Sequence, residues 1–181
     1  NIMSRSNRGG SGTANPIKKY LKFNGSTGVF EYYNKEKKEK EEFETLDITL
    51  VETKDSITGY NTGLGARMNS NFITNSGKEP LKVTCFVNGK PLVQAEGLYK
   101  DIKKEVKGHN GSYTTNVFAL CDLGDGQELV NLQLSGAALG SWIEFGNNIE
   151  SGDIYDWTLN MKRGVLCKRG GDGIVAVTQK E

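Results

Sequence analysis

A single histidine, His109, and three widely spaced cysteines, Cys85, Cys121 and Cys167, are all that this 181-residue chain offers to soft metals or to a nucleophile–imidazole pair. With no second histidine and no C-x-x-C, zinc sites, disulfide frameworks and histidine-backed nucleophiles have almost no material. His109 reads instead as a residue at a helix C-terminus, where it meets the dipole. Prolines number only three, no apolar run is long enough for a membrane-spanning helix, and no basic-then-apolar leader opens the chain. The phosphate-binding G-x-x-x-x-G-K-[ST] loop, G-x-S-x-G and H-E-x-x-H are missing too. Asp47, Glu96, Asp122 and Asp156 are scattered acids that read as turn and edge residues. The expectation is a soluble, intracellular, non-catalytic protein with neither cofactor nor metal.

What the chain does have is glycine, 23 residues of it, against a modest 36% of hydrophobic residues. That combination suits short strands joined by glycine turns. The clearest case runs from Pro80 to Gly97 (PLKVTCFVNGKPLVQAEG). Leu81, Val83, Cys85 and Val87 alternate with Lys82, Thr84 and Phe86, the period-2 pattern of a half-buried strand. Asn88-Gly89 supplies the positive φ angles of a tight hairpin turn, with Lys90 just beyond it. Lys82 and Phe86 share the face away from the apolar row. A cation and a ring on one open sheet face suit a single-stranded nucleic acid, which needs a charge for phosphate and a π-surface for a base. A packed Phe86 beside a solvated Lys82 is the competing reading.

The formal charge of +1 conceals a strong asymmetry. Residues 1–30 carry +5 through Arg5, Arg8, Lys18, Lys19 and Lys22, residues 31–55 carry −4, residues 56–160 carry −3, and residues 161–181 carry +3. A polyanion would meet the two ends of the chain first. Asn1-Ile2, ahead of Met3, is set aside as a vector remnant, and residues 1–16 are expected to form a flexible basic arm. Residues 17–181 read as one domain with a C-terminal strand extension.

Within that domain, Tyr20–Phe23 and Val29–Asn34 are expected as two strands. The mixed-charge run Lys35–Glu42 should be a solvated loop. Phe43–Glu52 reads as a strand with Leu46, Ile48 and Leu50 inward, and a further short strand lies between Asp55 and Tyr60. Residues 61–79, rich in Asn, Ser and Gly with Arg67 and Phe72 among them, read as a long surface excursion. Leu98–His109 is the best helix, its Ile102 and Val106 inward and its lysines solvated. Strands Tyr113–Cys121 and Glu128–Leu134 follow, then a short helix, Ser135–Phe145, with Trp142 in the core. An alternating strand through Tyr155, Trp157, Leu159 and Met161 and a last strand, Ile174–Thr178, close the chain. Lys162, Arg163, Lys168 and Arg169 between them make a second basic patch.

Several strands, a helix, then two more strands is the element order of an OB-type Greek-key barrel, a mainly β fold, here with a second short helix and added hairpins. The segments YLKFNGSTGVFEYYNKE, ITGYN, AEGLYKDIKKEV and VNLQLSGAALGSWIEF carry a resemblance over roughly Lys18 to Phe145. The chain resembles the single-stranded DNA-binding proteins of tailed bacteriophages. That resemblance implies an OB barrel that protects DNA strands during phage replication or recombination, with little sequence preference, in the cytoplasm of the infected bacterium. It also implies phage replication or recombination proteins as partners, with a homodimer as a further candidate. Such proteins often end in an acidic tail, whereas this sequence ends Thr178-Gln179-Lys180-Glu181.

The expected stacking platform joins Tyr33, Tyr60, Arg67 and Phe72 to the sheet face of Lys82 and Phe86. The expected phosphate contacts are Arg5, Arg8, Lys18, Lys19 and Lys22, and Lys90 is a further expected nucleic-acid-binding residue. Two other functions fit the same pattern. One is a protein-interaction or virion-associated β-module that docks another subunit on the aromatic face, and the other is an RNA-binding OB protein.

Overall fold

The computed structural model describes residues 17, 19–147, 158–166 and 172–179. The fold is mainly β. One mixed sheet runs through the described chain, with two helices on one of its faces. Its spine is β4 (Thr45–Asn61), a 17-residue strand where the sequence suggested two short ones. β8 (Gly111–Asp122) pairs along nearly the whole of one edge. The other edge is divided. β10 (Thr158–Leu166) takes Thr45–Thr49, Ile73 exchanges two 2.8 Å backbone hydrogen bonds with Asp55, the Ser70 hydroxyl accepts from the Ile57 N–H, and β5 (Ala66–Ser70) takes Thr58–Asn61. Buried strand edges need such partners, because an unpaired buried amide costs about 1–3 kcal/mol.

From β4 the sheet extends both ways. Through β8 and β9 (Gln127–Leu134) it reaches β1 (Lys19–Asn24), then β2 (Val29–Asn34) and β3 (Glu39–Phe43). Through β5 it reaches β6 (Leu81–Val87) and β7 (Lys90–Gly97). β11 (Asp172–Gln179) pairs with β10. The β1–β9 pair is parallel, which makes the sheet mixed. β3 and β7 end the main strand order, so among the described residues the sheet does not close into the expected barrel.

Two other expectations change. Half of the Lys35–Glu42 run is strand β3, because Tyr33 and Lys40, and Phe30 and Phe43, pair across a hairpin. The turn before it copies the turn before β2. Asn24 Oδ1 accepts from the Ser26 and Thr27 N–H groups and Gly28 follows at φ 74°, while Asn34 Oδ1 accepts from Glu36 and Lys37 and Lys38 follows at φ 54°. Residues 66–70, read as part of a loop, form β5, since Ala66 and Met68 alternate inward with Arg67 and Asn69 outward. The remaining excursion is tightly held. The Glu79 carboxylate accepts from the Thr74 N–H and hydroxyl, both at 2.8 Å, and from the Asn75 N–H at 2.6 Å, while Asn71 Oδ1 accepts from the Lys82 N–H at 2.7 Å.

The core lies on one face in two clusters. Leu21, Phe30, Ile48, Val117, Leu132, Leu159 and Met161 meet α2 (Gly136–Asn147) through Ala138 and Leu139, with Trp142 partly buried against them. Ile143, one turn beyond Leu139, is instead 54% exposed. Ile57, Met68, Ile73, Val83 and the Cys85 thiol meet α1 (Tyr99–Gly108) through Ile102 and Val106. Each fully buried aliphatic or aromatic side chain contributes about 1.5–3 kcal/mol over its exposed state. Tyr113 borders both clusters, its hydroxyl donating to Asp55 Oδ2 at 2.6 Å while Thr115 donates to Oδ1 at 2.8 Å. Burial, then this bond to Asp55, push the Tyr113 pKa up. Where α1 returns to the sheet, Gly59 and Gly111 face each other. A Cβ on Gly111 would meet Val106 Cγ1 at 2.6 Å and Met68 Sδ at 2.8 Å, so this crossing tolerates only glycine.

Candidate nucleic-acid interface

Both helices cover the same side of the sheet, which leaves the other side to the alternate residues of each strand. On that open face, Tyr60 of β4 is the registered partner of Arg67 on β5. Phe86 of β6 stands one step beyond the Met68–Cys85 pair, in line with Arg67. The three make a ring–guanidinium–ring row across adjacent strands, whose opposed side chains lie about 5 Å apart. Tyr60 is 53% exposed and Phe86 63%. Phe86 is therefore not packed under a second layer. The neighbouring row, Thr58, Asn69 and Thr84, is polar, and Val93 of β7 continues it. Lys82 lies farther along β6, exposed, and Lys90 sits exposed at the hairpin turn.

Toward the other end of the face, Lys22 on β1 pairs with Gln133 on β9 and with Glu31 on β2. Tyr20 and Tyr33 fall one step beyond the Leu21–Tyr32 pair on the same face, and Tyr33 is 56% exposed. Tyr32, on the opposite face, packs against the core. Between the two aromatic groups lies a floor of amides and hydroxyls around buried Asn116, with the ion pair of Lys54 and Glu52, 3.6 Å apart, beside it on β4. Its Nδ2 donates to the Lys54 carbonyl at 3.1 Å and to Ser56 Oγ at 2.8 Å, and its Oδ1 accepts from Asn131 Nδ2 at 3.1 Å and Gln133 Nε2 at 3.2 Å. Four bonds saturate this side chain and fix which way all three amides point. Asn131 Oδ1 is left buried without a partner among the described residues. Thr58 and Thr114 share a hydroxyl bond at 2.8 Å.

The remaining expected contacts separate into groups. Lys19 lies on the core face, 3.0 Å from Glu128, 3.7 Å from Asp125 and over the Tyr32 ring. Burial opposes its charge, but the bond and charge of Glu128 outweigh burial and its pKa is raised. It is thus apart from Lys22 and already paired. Phe72 reaches the open face from the 71–80 segment and meets buried Phe118 edge-on at 5.8 Å, which gives it a packing role. Ile17 also covers Phe118. Arg5, Arg8 and Lys18, with Tyr155, Trp157, Lys168 and Arg169, lie outside the described residues. The α1 lysines face solvent on the far side of the sheet from Tyr60.

Sequence reasoning missed Tyr20, whose alternation with Lys22 was the available signal, and the amide floor, for which polar residues at alternate positions of β8 and β9 were a weak one. Among the described residues no group of His, Cys, Asp and Glu could hold a metal ion, and no helix is long and apolar enough to cross a membrane. No protein-family model matches the chain, and no curated protein and no solved structure matches it either, so the meaning of this face rests on its own geometry.

Proposed function

We propose that the open face binds single-stranded DNA, without catalysis and with little sequence preference, to protect strands during phage replication or recombination in the bacterial cytoplasm. The observation that carries this reading is the exposed Tyr60–Arg67–Phe86 row. Rings left in solvent on a rigid sheet stack on any base, and the cation between them meets the phosphate that joins two bases. Asn116 and its partners add a hydrogen-bonded amide network to the same face, beside the mutually paired Lys54 and Glu52. The order β4, β5, β6, α1, β8, β9, with β8 returning beside β4, supports an OB-type unit that is opened and extended by β7, the β1–β3 hairpins and the C-terminal pair.

Fluorescence anisotropy with labelled oligo-dT at several salt concentrations tests the reading. Tight binding that weakens steadily with salt and resists duplex competitor is expected, and an RNA competitor of equal length decides between DNA and RNA. Absence of binding at low salt overturns it. A second reading then gains ground, because Val93 on the same face as Phe86, and Leu92 on the other side of β7, are also exposed. In that case the β6–β7 end docks another protein.

A further inference from the structure

The α1 helix (YKDIKKEVKG) buries Ile102 and Val106 against the sheet and leaves all four of its lysines exposed. Lys100, Lys103, Lys104 and Lys107 fall at i, i+3, i+4 and i+7, so they share one stripe of the helix. At 1.5 Å of rise per residue the stripe is about 10.5 Å long. Asp101 and Glu105, four residues apart, are grouped beside it. Among the described residues no ion pair joins any of the four lysines to a carboxylate.

Such a stripe is unfavourable by itself. Like charges four residues apart destabilise a helix, and Lys100–Lys104 and Lys103–Lys107 are two such pairs. Lys100 also stands in the first turn, where the helix dipole repels a cation. The β2–β3 hairpin shows the alternative, since Lys37 there lies 3.9 Å from Glu41 and Lys40 lies 3.4 Å from Glu31. A polyanion laid along α1 would relieve the repulsion that the helix leaves standing. The stripe holds no ring and no aliphatic side chain, because Tyr99 is turned onto Tyr113, with ring centroids 4.8 Å apart. It offers nothing to an unpaired base, to a bilayer core or to the apolar anchor of a protein partner. What it can read is backbone charge. A duplex carries one phosphate charge per about 1.7 Å of axis, twice the density of one strand.

We propose that the α1 stripe is a second nucleic-acid site, which holds the phosphate backbone of a duplex behind the sheet while the open face holds a single strand. Ile102 and Val106 pack on the face of β6 that carries Val83 and Cys85, whereas Lys82 and Phe86 stand on the opposite one. Two segments of nucleic acid can thus be held at once without competing for one surface. The duplex site stands on its own charges, and only its use beside a bound single strand rests on the reading above.

The test is anisotropy of the full chain with a labelled, blunt-ended DNA duplex, measured across salt. Binding at low salt is expected, and four neutralised phosphates at about 0.9 each contribute about 3.6 to the slope of log affinity against log salt. A variant carrying Lys100→Gln, Lys103→Gln, Lys104→Gln and Lys107→Gln should lose that contribution and roughly tenfold or more in duplex affinity. Its melting temperature and its affinity for oligo-dT should stay near wild type. Arginine at the same four positions should restore duplex binding, which a damaged fold would not allow. Saturating duplex should leave labelled oligo-dT in place. No duplex binding at low salt, or equal duplex binding by the glutamine variant, would overturn the proposal and leave the single-strand reading intact. Poly-glutamate or anionic vesicles competing as well as unlabelled duplex would overturn it too, since the stripe would then serve an acidic protein or a membrane. Displacement of oligo-dT by the duplex would overturn the claim of two separate surfaces. Duplex binding with no oligo-dT binding would sink the single-strand reading and leave the duplex site standing.

Discussion

The two faces of the sheet come from the same strands and differ in everything else. Val83 and Cys85 are buried under α1, while Lys82 and Phe86 on either side of them stand in solvent. Leu21 is wholly buried, and Tyr20 and Lys22 on either side of it are not. One face is aliphatic and closed by helices, and the other is aromatic, amide-rich and open. Because strand side chains alternate, a sequence can set these two surfaces independently, one for stability and one for contact. The comparison predicts that mutations should sort cleanly by face.

The largest effect belongs to the closed face. Leu132→Ala should cost about 2–5 kcal/mol in chemical denaturation, because it leaves a cavity among fully buried neighbours. Oligonucleotide affinity per folded molecule should hardly change. Asn116→Ala tests a place where the open face is itself buried. It strands the buried Asn131 amide and the half-buried Gln133 amide, and a loss of about 1–3 kcal/mol is expected for the buried group left unpaired. A stability change near zero would show that the amide network holds nothing together.

Phe86→Ala should do the reverse of Leu132→Ala. Its 63% exposure predicts a stability change within about 0.5 kcal/mol. Its place in the stacking row predicts a binding loss of about 1–3 kcal/mol. If it unfolds the protein or leaves binding intact, the division of labour between faces fails. The smallest effect is pH-dependent. Hydrogen bonds from Thr74, then Asn75, lower the Glu79 pKa below its ordinary 4.5. A depressed acid stabilises the fold above its unfolded pKa and ceases to do so as pH falls through the folded one. The protection of the Thr74 and Asn75 amides, measured against their intrinsic exchange rates, should therefore fall as pH drops below about 4.5, and Glu79→Gln should flatten that dependence.

Much of this was legible because it is local. The period of Leu81–Val87, the Asn88-Gly89 turn and the spacing of Ile102 and Val106 act over a few residues, and each lies where the pattern puts it. What escaped depends on distant partners. Residues 66–70 become a strand because β4 and β6 flank them, and in isolation their Asn, Ser and Gly surroundings signal a loop. Glu39–Phe43 is carried into the sheet by β2 despite its charge. Lys19 and Lys22 look alike in sequence, yet the strand's alternation sends them to opposite faces and, among the described residues, gives only Lys19 an acidic partner. Barrel closure is the least local property of all, since it needs the two ends of the sheet to meet.

The shared spine has a consequence for how the molecule comes apart. Ile48 and Leu50 anchor one core and Ile57 the other, all on the single strand β4. Neither cluster can open without tugging the backbone of its neighbour. The two halves should behave as one cooperative unit rather than as two foldons, with the amides of Ile48 and Ile57 exchanging at the same global free energy. A cut in β4 at exposed Val51, where the ladder slips by a residue between Leu50 and Glu52, would release both halves at once.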